Sequence, residues 1–175
     1  MKQNKNILLL SVTTIIGGGT EYIYSLSKEI NSRALKDEDK FNIFIIAPKD
    51  GEYYPNKFKE HNLNYINLNV RRLSINIFIK LFRITKDLNI NLIHSHGKGA
   101  GIYSRLIGLL LSIPVIHSHH GFHLNNLNFL FRNIYLLTEK VLAKLTSAYI
   151  FVSDSEKKSF ENVININSKK KIVIY

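Results

Sequence analysis

Apolar residues in this chain come in two forms, short solid runs and longer stretches with helical spacing, and the two alternate from end to end. Residues 7–12 form the first solid run and are followed by Gly17-Gly18-Gly19. A helix is predicted from Thr20, as its cap, to about Ser32, with Tyr22, Leu26 and Ile30 at helical repeats. Residues 33–40 are charged and read as a loop; residues 41–47 predict a second strand, stopped by Pro48, and residues 65–68 a short third one. Residues 74–88 predict a helix in which Asn76, Lys80, Arg83 and Asp87 form a narrow polar stripe among Ile75, Phe78, Ile79, Leu81 and Phe82. A fourth strand at 92–94 leads through Gly97-Lys98-Gly99-Ala100-Gly101 into an apolar helix ending at Leu111. The fifth strand is expected at 113–116, a long amphipathic helix at 127–145 and a sixth strand at 149–152. A helix capped by Ser153 or Asp154 and a final strand at 172–175 complete the chain.

Strands that read as solid apolar runs, alternating with helices, indicate a parallel sheet covered on both faces. The expectation is one Rossmann-like α/β domain over residues 1–175, with no internal repeat and no low-complexity linker.

Composition changes this picture little. The 24 basic and 13 acidic residues leave a net charge of +11, which invites a nucleic-acid or anionic-membrane partner. Eighteen of the 24 are Lys in a chain also rich in Asn and Ile, a bias an AT-rich genome writes whatever the function, so no nucleic-acid partner is assigned. The absence of cysteine excludes a disulfide, a thiolate nucleophile and a cysteine-held metal. The longest apolar stretch, 106–116, is broken by Gly108, Ser112 and Pro114, too early to span a bilayer. Lys2 and Lys5 precede the first apolar run, but no small-x-small cleavage site follows it, so that run reads as a strand and a cytoplasmic location is expected.

Chemistry gathers where an open parallel sheet places it, at the carboxyl ends of the strands. The glycine triplet follows strand one, His94 and His96 close strand four, and His117, His119, His120 and Gly121 follow strand five. Six of the seven histidines lie between residues 94 and 123, so a cleft along this edge is the expected site. The triplet permits close backbone approach to a ligand beside the free N–H groups of a helix start; the plainer reading is a tight turn. The second glycine turn, 97–101, lacks the acidic residue that a dinucleotide fingerprint places about 20 positions on, and is read as structural. Each His-x-His puts two imidazoles on one face of a strand, a spacing used by zinc sites. A His-ligated metal hydrolase is therefore one alternative, although no obvious carboxylate ligands accompany the histidines, and no metal is assigned. For His94, His117 and His123 a hydrogen-bonded strand-end role is preferred.

Taken in order, four pieces resemble the N-terminal domain of retaining glycosyltransferases of family four, which have the two-domain GT-B fold. They are Gly18-Gly19-Thr20-Glu21, Leu92-Ile93-His94-Ser95-His96, the segment from Pro114 to Gly121 and Ile150-Phe151-Val152-Ser153-Asp154. The resemblance covers essentially the whole chain. It implies that Gly18 and Gly19 approach the donor phosphates and transferred sugar, and that His120, beside Gly121, contacts that sugar as the catalytic residue. His96, Ser118 and His119 would line the cleft, and Ser153 would cap the next helix more than touch substrate. It also implies a nucleotide-sugar donor held mostly by a C-terminal domain, absent here, and a glycan or lipid-linked acceptor brought by this half. No cofactor is implied. The expected role is in cell-surface polysaccharide or glycoconjugate synthesis, with the isolated domain inactive. Alternatives are a non-catalytic acceptor-binding subunit of a split enzyme and a sugar-nucleotide epimerase. The basic and apolar residues of 71–86 further suggest peripheral contact with an anionic membrane.

Overall fold

A computed structural model describes residues 5–34, 41–119, 128–164 and 170–174. Seven parallel strands alternate with six helices: β1 (Lys5–Ser11), α1 (Gly18–Ala34), β2 (Phe41–Ala47), α2 (Tyr53–Glu60), β3 (Asn64–Asn67), α3 (Ile75–Asp87), β4 (Ile90–His96), α4 (Lys98–Leu111), β5 (Val115–Ser118), α5 (Phe129–Lys144), β6 (Ala148–Phe151), α6 (Asp154–Val163) and β7 (Lys170–Val173). The sheet runs β3-β2-β1-β4-β5-β6-β7. The chain thus builds outward from β1 to β3, then returns to start the other half at β4, and the β1/β4 boundary is the topological switch point.

The solid apolar strands are explained by burial on both faces. Leu8 and Leu10 pack with Leu81 of α3 and Tyr103 and Ile107 of α4, while Leu9 between them packs with Ile23 and Tyr24 of α1 and Tyr54 and Phe58 of α2. A third cluster joins Ala143 of α5 to Tyr149 and Phe151 of β6 and Phe160 of α6. Beside it, Arg105 of α4 is fully buried: its Nη2 stands 3.2 Å from Glu139 Oε2 of α5, and its Nε donates to Thr146 Oγ1 at 2.8 Å.

The expected Rossmann-like architecture is present, with differences in detail. Helix α2 was not expected, because Pro55 and a polar run conceal it; proline is tolerated in a first turn, and Tyr54, Pro55 and Phe58 supply its buried face. Strand β4 is longer than 92–94 and contains both of its histidines, whereas β5 starts two residues later than expected, after Pro114. Helix α1 begins at Gly18, so Thr20 is not its cap but sits in its first turn, its hydroxyl donating to the Ile15 carbonyl at 2.9 Å. On α3 only Leu81 and Thr85 are fully buried, and Ile75 and Ile79 face solvent.

Candidate functional site

At the carboxyl ends of β1 and β4 a cleft of about 420 Å³ opens at the switch point. Ser11, Val12 and Thr13 form one wall, Gly17, Gly19 and Thr20 at the start of α1 another, and His96, Gly97 and Arg71 close the far side. Ile15 and Ile16 stand on the lip, 51% and 69% exposed.

The two glycine turns differ in what they require. Gly97 has φ +85°, and a Cβ there would meet Val12 Cγ2 at 2.6 Å. A Cβ on Gly99 would fall 2.4 Å from the Val70 carbonyl oxygen, and one on Gly101 2.6 Å from His117. These glycines are fixed by packing, in keeping with the structural reading of the 97–101 turn. At Gly17 and Gly18, by contrast, a Cβ would meet nothing within 4 Å, and neither has a positive φ. Neither sterics nor backbone conformation demands glycine there, so the tight-turn reading does not account for them. What remains is open space beside the start of a helix.

The four described strand-end histidines separate into two pairs. His94 and His96 pack with tilted rings, centroids 4.2 Å apart, against Tyr22 of α1, and His96 reaches the cleft wall. His94 Nε2 and Ser118 Oγ are 2.7 Å apart, both buried, so Ser118 braces β4 against β5 instead of lining the cleft. His117 points to the α4 face, where its Nδ1 is 2.9 Å from Ser95 Oγ and Ser104 donates to that same hydroxyl at 2.8 Å. Burial, and then the nearby Arg105 charge, holds the His117 pKa well below the usual imidazole value, so the ring is neutral. His119 does not line the cleft either: its ring stacks on Tyr149 and Phe151 at 5.8 Å and meets Phe160 at 4.8 Å. Placing the pairs on opposite faces of the sheet keeps the four imidazoles from converging on one ion, and among the described residues no group of three metal-ligating side chains forms.

Ser153 is the cap of α6, accepting from the Glu156 N–H at 3.2 Å. Gly19 is in the cleft, and Gly18 is beside it in the first turn of α1. His120, Gly121 and His123 lie outside the described residues.

Two residues of this site escaped the sequence reading. Asp50, after β2, accepts from the Thr14 N–H at 2.6 Å, the Thr14 hydroxyl at 2.9 Å and the Thr13 hydroxyl at 2.8 Å, and so ties down the β1–α1 loop. Its second oxygen is 3.2 Å from Nη2 of Arg71, which follows β3. Burial works to raise the Asp50 pKa, but those hydrogen bonds and the Arg71 charge outweigh it and hold the carboxyl below its ordinary value. Both residues follow strand ends, so the rule that singled out the glycines and histidines, applied to every strand, would have found them.

The sequence matches Glycosyltransferase Family 4 over residues 16–175. The chain belongs to glycosyltransferase family 4. Among relatives of this family-4 chain, the O-antigen biosynthesis glycosyltransferase WbnH of Escherichia coli is 28% identical over 160 residues, 91% of this chain and 45% of WbnH. In structure it resembles Anabaena Alr3699/HepE in complex with UDP and glucose, with TM-score 0.74 and 14% identity over 98% of this chain and 44% of that one. A glycosyltransferase from Rickettsia africae ESF-5 superposes with TM-score 0.72 at 17% identity, over 99% and 43% of the two chains. The family-4 chain therefore spans somewhat less than half the length of these proteins, and its sheet is one Rossmann-like half of a GT-B fold.

Proposed function

We infer that this family-4 chain is the acceptor-side half of an enzyme that transfers a sugar, with retention at the anomeric carbon, from a nucleotide-sugar donor to a glycan or lipid-linked acceptor. The process it serves is cell-surface polysaccharide or glycoconjugate synthesis, as the O-antigen role of WbnH suggests. The observation that carries the reading is the switch-point cleft, walled by a glycine turn in which neither packing nor backbone conformation requires glycine at Gly17 or Gly18. A backbone free of side chains at a helix start suits close approach of phosphates and of a flattening, positively charged sugar, which is stabilised by positioning and fixed dipoles. Most donor contacts belong to a second domain, so the isolated chain is folded but does not turn over. HepE, similar in fold, holds UDP and glucose.

His120 follows β5 directly after His119 and is assigned the contact to the transferred sugar. In the complete enzyme His120→Ala lowers kcat more than it raises KM, by about 30- to 1,000-fold, the value of one contact that strengthens in the transition state. A folded, fully active variant overturns the assignment.

Peripheral membrane contact is assigned to the outer face of α3. There Leu73, Ile75 and Ile79 are exposed beside Lys80, Arg83 and Lys86, and Leu110 of α4 extends the apolar surface. The mixture suits an anionic bilayer. No helix among the described residues is long and apolar enough to cross a membrane. Flotation with anionic vesicles, lost in Lys80/Arg83/Lys86→Glu, is the expected result; equal recovery with neutral vesicles overturns it.

A further inference from the structure

Among the described residues, Arg71 is the one permanently charged side chain lining the switch-point cleft. It is held by a second residue dedicated to another part of the same site: Asp50 binds both threonines of the β1–α1 loop through hydrogen bonds and binds Arg71 Nη2 at 3.2 Å. The backbone beneath Arg71 is also fixed, since Gly99 of α4 approaches the Arg71 carbonyl so closely that a Cβ there would stand 2.7 Å from it. The Arg71 side chain nevertheless remains 55% exposed, with Ile15 and Ile16 exposed on the lip of the same cleft. An ion pair serving stability alone does not explain a cation held on a fixed backbone at the mouth of a cavity. A guanidinium fork matches phosphate oxygens, and exposed isoleucines beside it match an apolar chain.

We propose that Arg71 is a specificity-determining residue that binds the phosphate or diphosphate of an amphiphilic acceptor, with Asp50 as its positioning residue and Ile15 and Ile16 receiving the apolar part adjoining that phosphate. The proposal rests on the reading of this half as the acceptor side. The same phosphate chemistry is offered by a nucleotide donor, and the choice of probes separates the two sources.

The test is binding by the 175-residue chain to farnesyl diphosphate, inorganic pyrophosphate and UDP, measured by titration calorimetry, with thermal midpoints recorded for every variant. Farnesyl diphosphate binds more tightly than pyrophosphate, and Arg71→Gln weakens farnesyl diphosphate by at least about 10-fold, the worth of a hydrogen bond to a charged group. Arg72→Gln, at the neighbouring exposed arginine, leaves it unchanged. Asp50→Asn weakens it too, but has no further effect in the Arg71→Gln background, a coupling that a merely structural role would not produce. The proposal is overturned if the wild-type chain shows no farnesyl diphosphate binding up to millimolar concentrations. Equal losses in Arg71→Gln and Arg72→Gln also overturn it, because they would report general charge. A loss of UDP binding alone would assign Arg71 to the donor and refute the acceptor role. In the complete enzyme, sugar transfer that proceeds with unchanged acceptor KM in Arg71→Gln refutes this inference while leaving the proposed function standing; absence of transfer to any acceptor refutes the latter.

Discussion

At the end of β4, His94 and His96 pack edge-on and tilted against Tyr22, and His96 continues to the wall of an open cleft. On the neighbouring strand, His117 and the residue just beyond β5, His119, repeat the same spacing, but there Ser95, Ser104, Tyr149, Phe151 and Phe160 fill the space around them. Identical spacing thus reaches a cleft in one place and fills a core in the other. The difference comes from topology. β1 and β4 begin two halves of the sheet whose connecting segments diverge, leaving a crevice, whereas α4, α5 and α6 flank β5 and β6 and close over them. Position in the sheet, more than residue type, decides which histidine borders the cleft, and His96 does so although it is as buried as His117.

This contrast is broken most sharply in the filled region. Arg105→Met leaves Glu139 as a buried charge without its cation and costs about 3–5 kcal/mol in chemical denaturation, most of it recovered in Arg105→Met/Glu139→Leu. Recovery in the double variant shows that the pair is a device of packing. A smaller effect separates the histidines themselves. His119→Phe, placed among aromatic rings, keeps stability within about 1.5 kcal/mol and leaves transfer by the complete enzyme unchanged. His96→Phe is equally well folded but loses roughly 10-fold in kcat/KM, about 1.4 kcal/mol of transition-state binding. If both variants behave alike, the division into site and core is wrong. Next, Ser153→Ala removes the cap of α6 and costs about 1 kcal/mol of stability with no change in kinetics, which would place the end of β6 on the structural side.

The smallest effect belongs to the cleft and depends on pH. The folded-state pKa of Asp50 lies below its ordinary 3.8, so the unfolded chain takes up the proton first. The stability Asp50 provides is fully present above that ordinary value and disappears as pH falls through the folded one. Acid unfolding should therefore be shallower in Asp50→Asn, whose side chain does not titrate. Because the Asp50–Arg71 pair is partly exposed, salt should reduce the difference.

The sheet was legible because burial on both faces writes itself as unbroken apolar runs, as in Leu8-Leu9-Leu10 and Ile43 to Ile46. Helix α2 was not, because eight residues containing Pro55 and two lysines carry too little periodicity. The switch-point glycines and His96 were legible from their place after strands. Ser118 and His119 were expected in the cleft from the family resemblance, but a strand turns successive side chains to opposite faces, where Ser118 meets His94 and His119 meets Tyr149 and Phe151. Asp50 and Arg71 could be found as residues that follow strand ends, but not as a pair, because their contact joins positions 21 apart and no local pattern announces it.

The same topology governs the order in which the molecule can be assembled. β1 lies between β2 and β4, and on the β4 side it is held by pairs such as Leu8 with Ile93 and by the Asn6 N–H donating to Asn91 Oδ1, contacts 85 residues apart. During synthesis β1 can pair with β2 once residue 47 has emerged, but its other edge stays unsatisfied until β4 follows. Pairings this distant in sequence are slow to form, and an exposed parallel edge invites association with other chains. Ligand crevice and folding delay thus have a single origin, the return of the chain from β3 to β4, and variants that weaken β4 should accumulate as aggregates of nascent chains before any loss of activity is measurable.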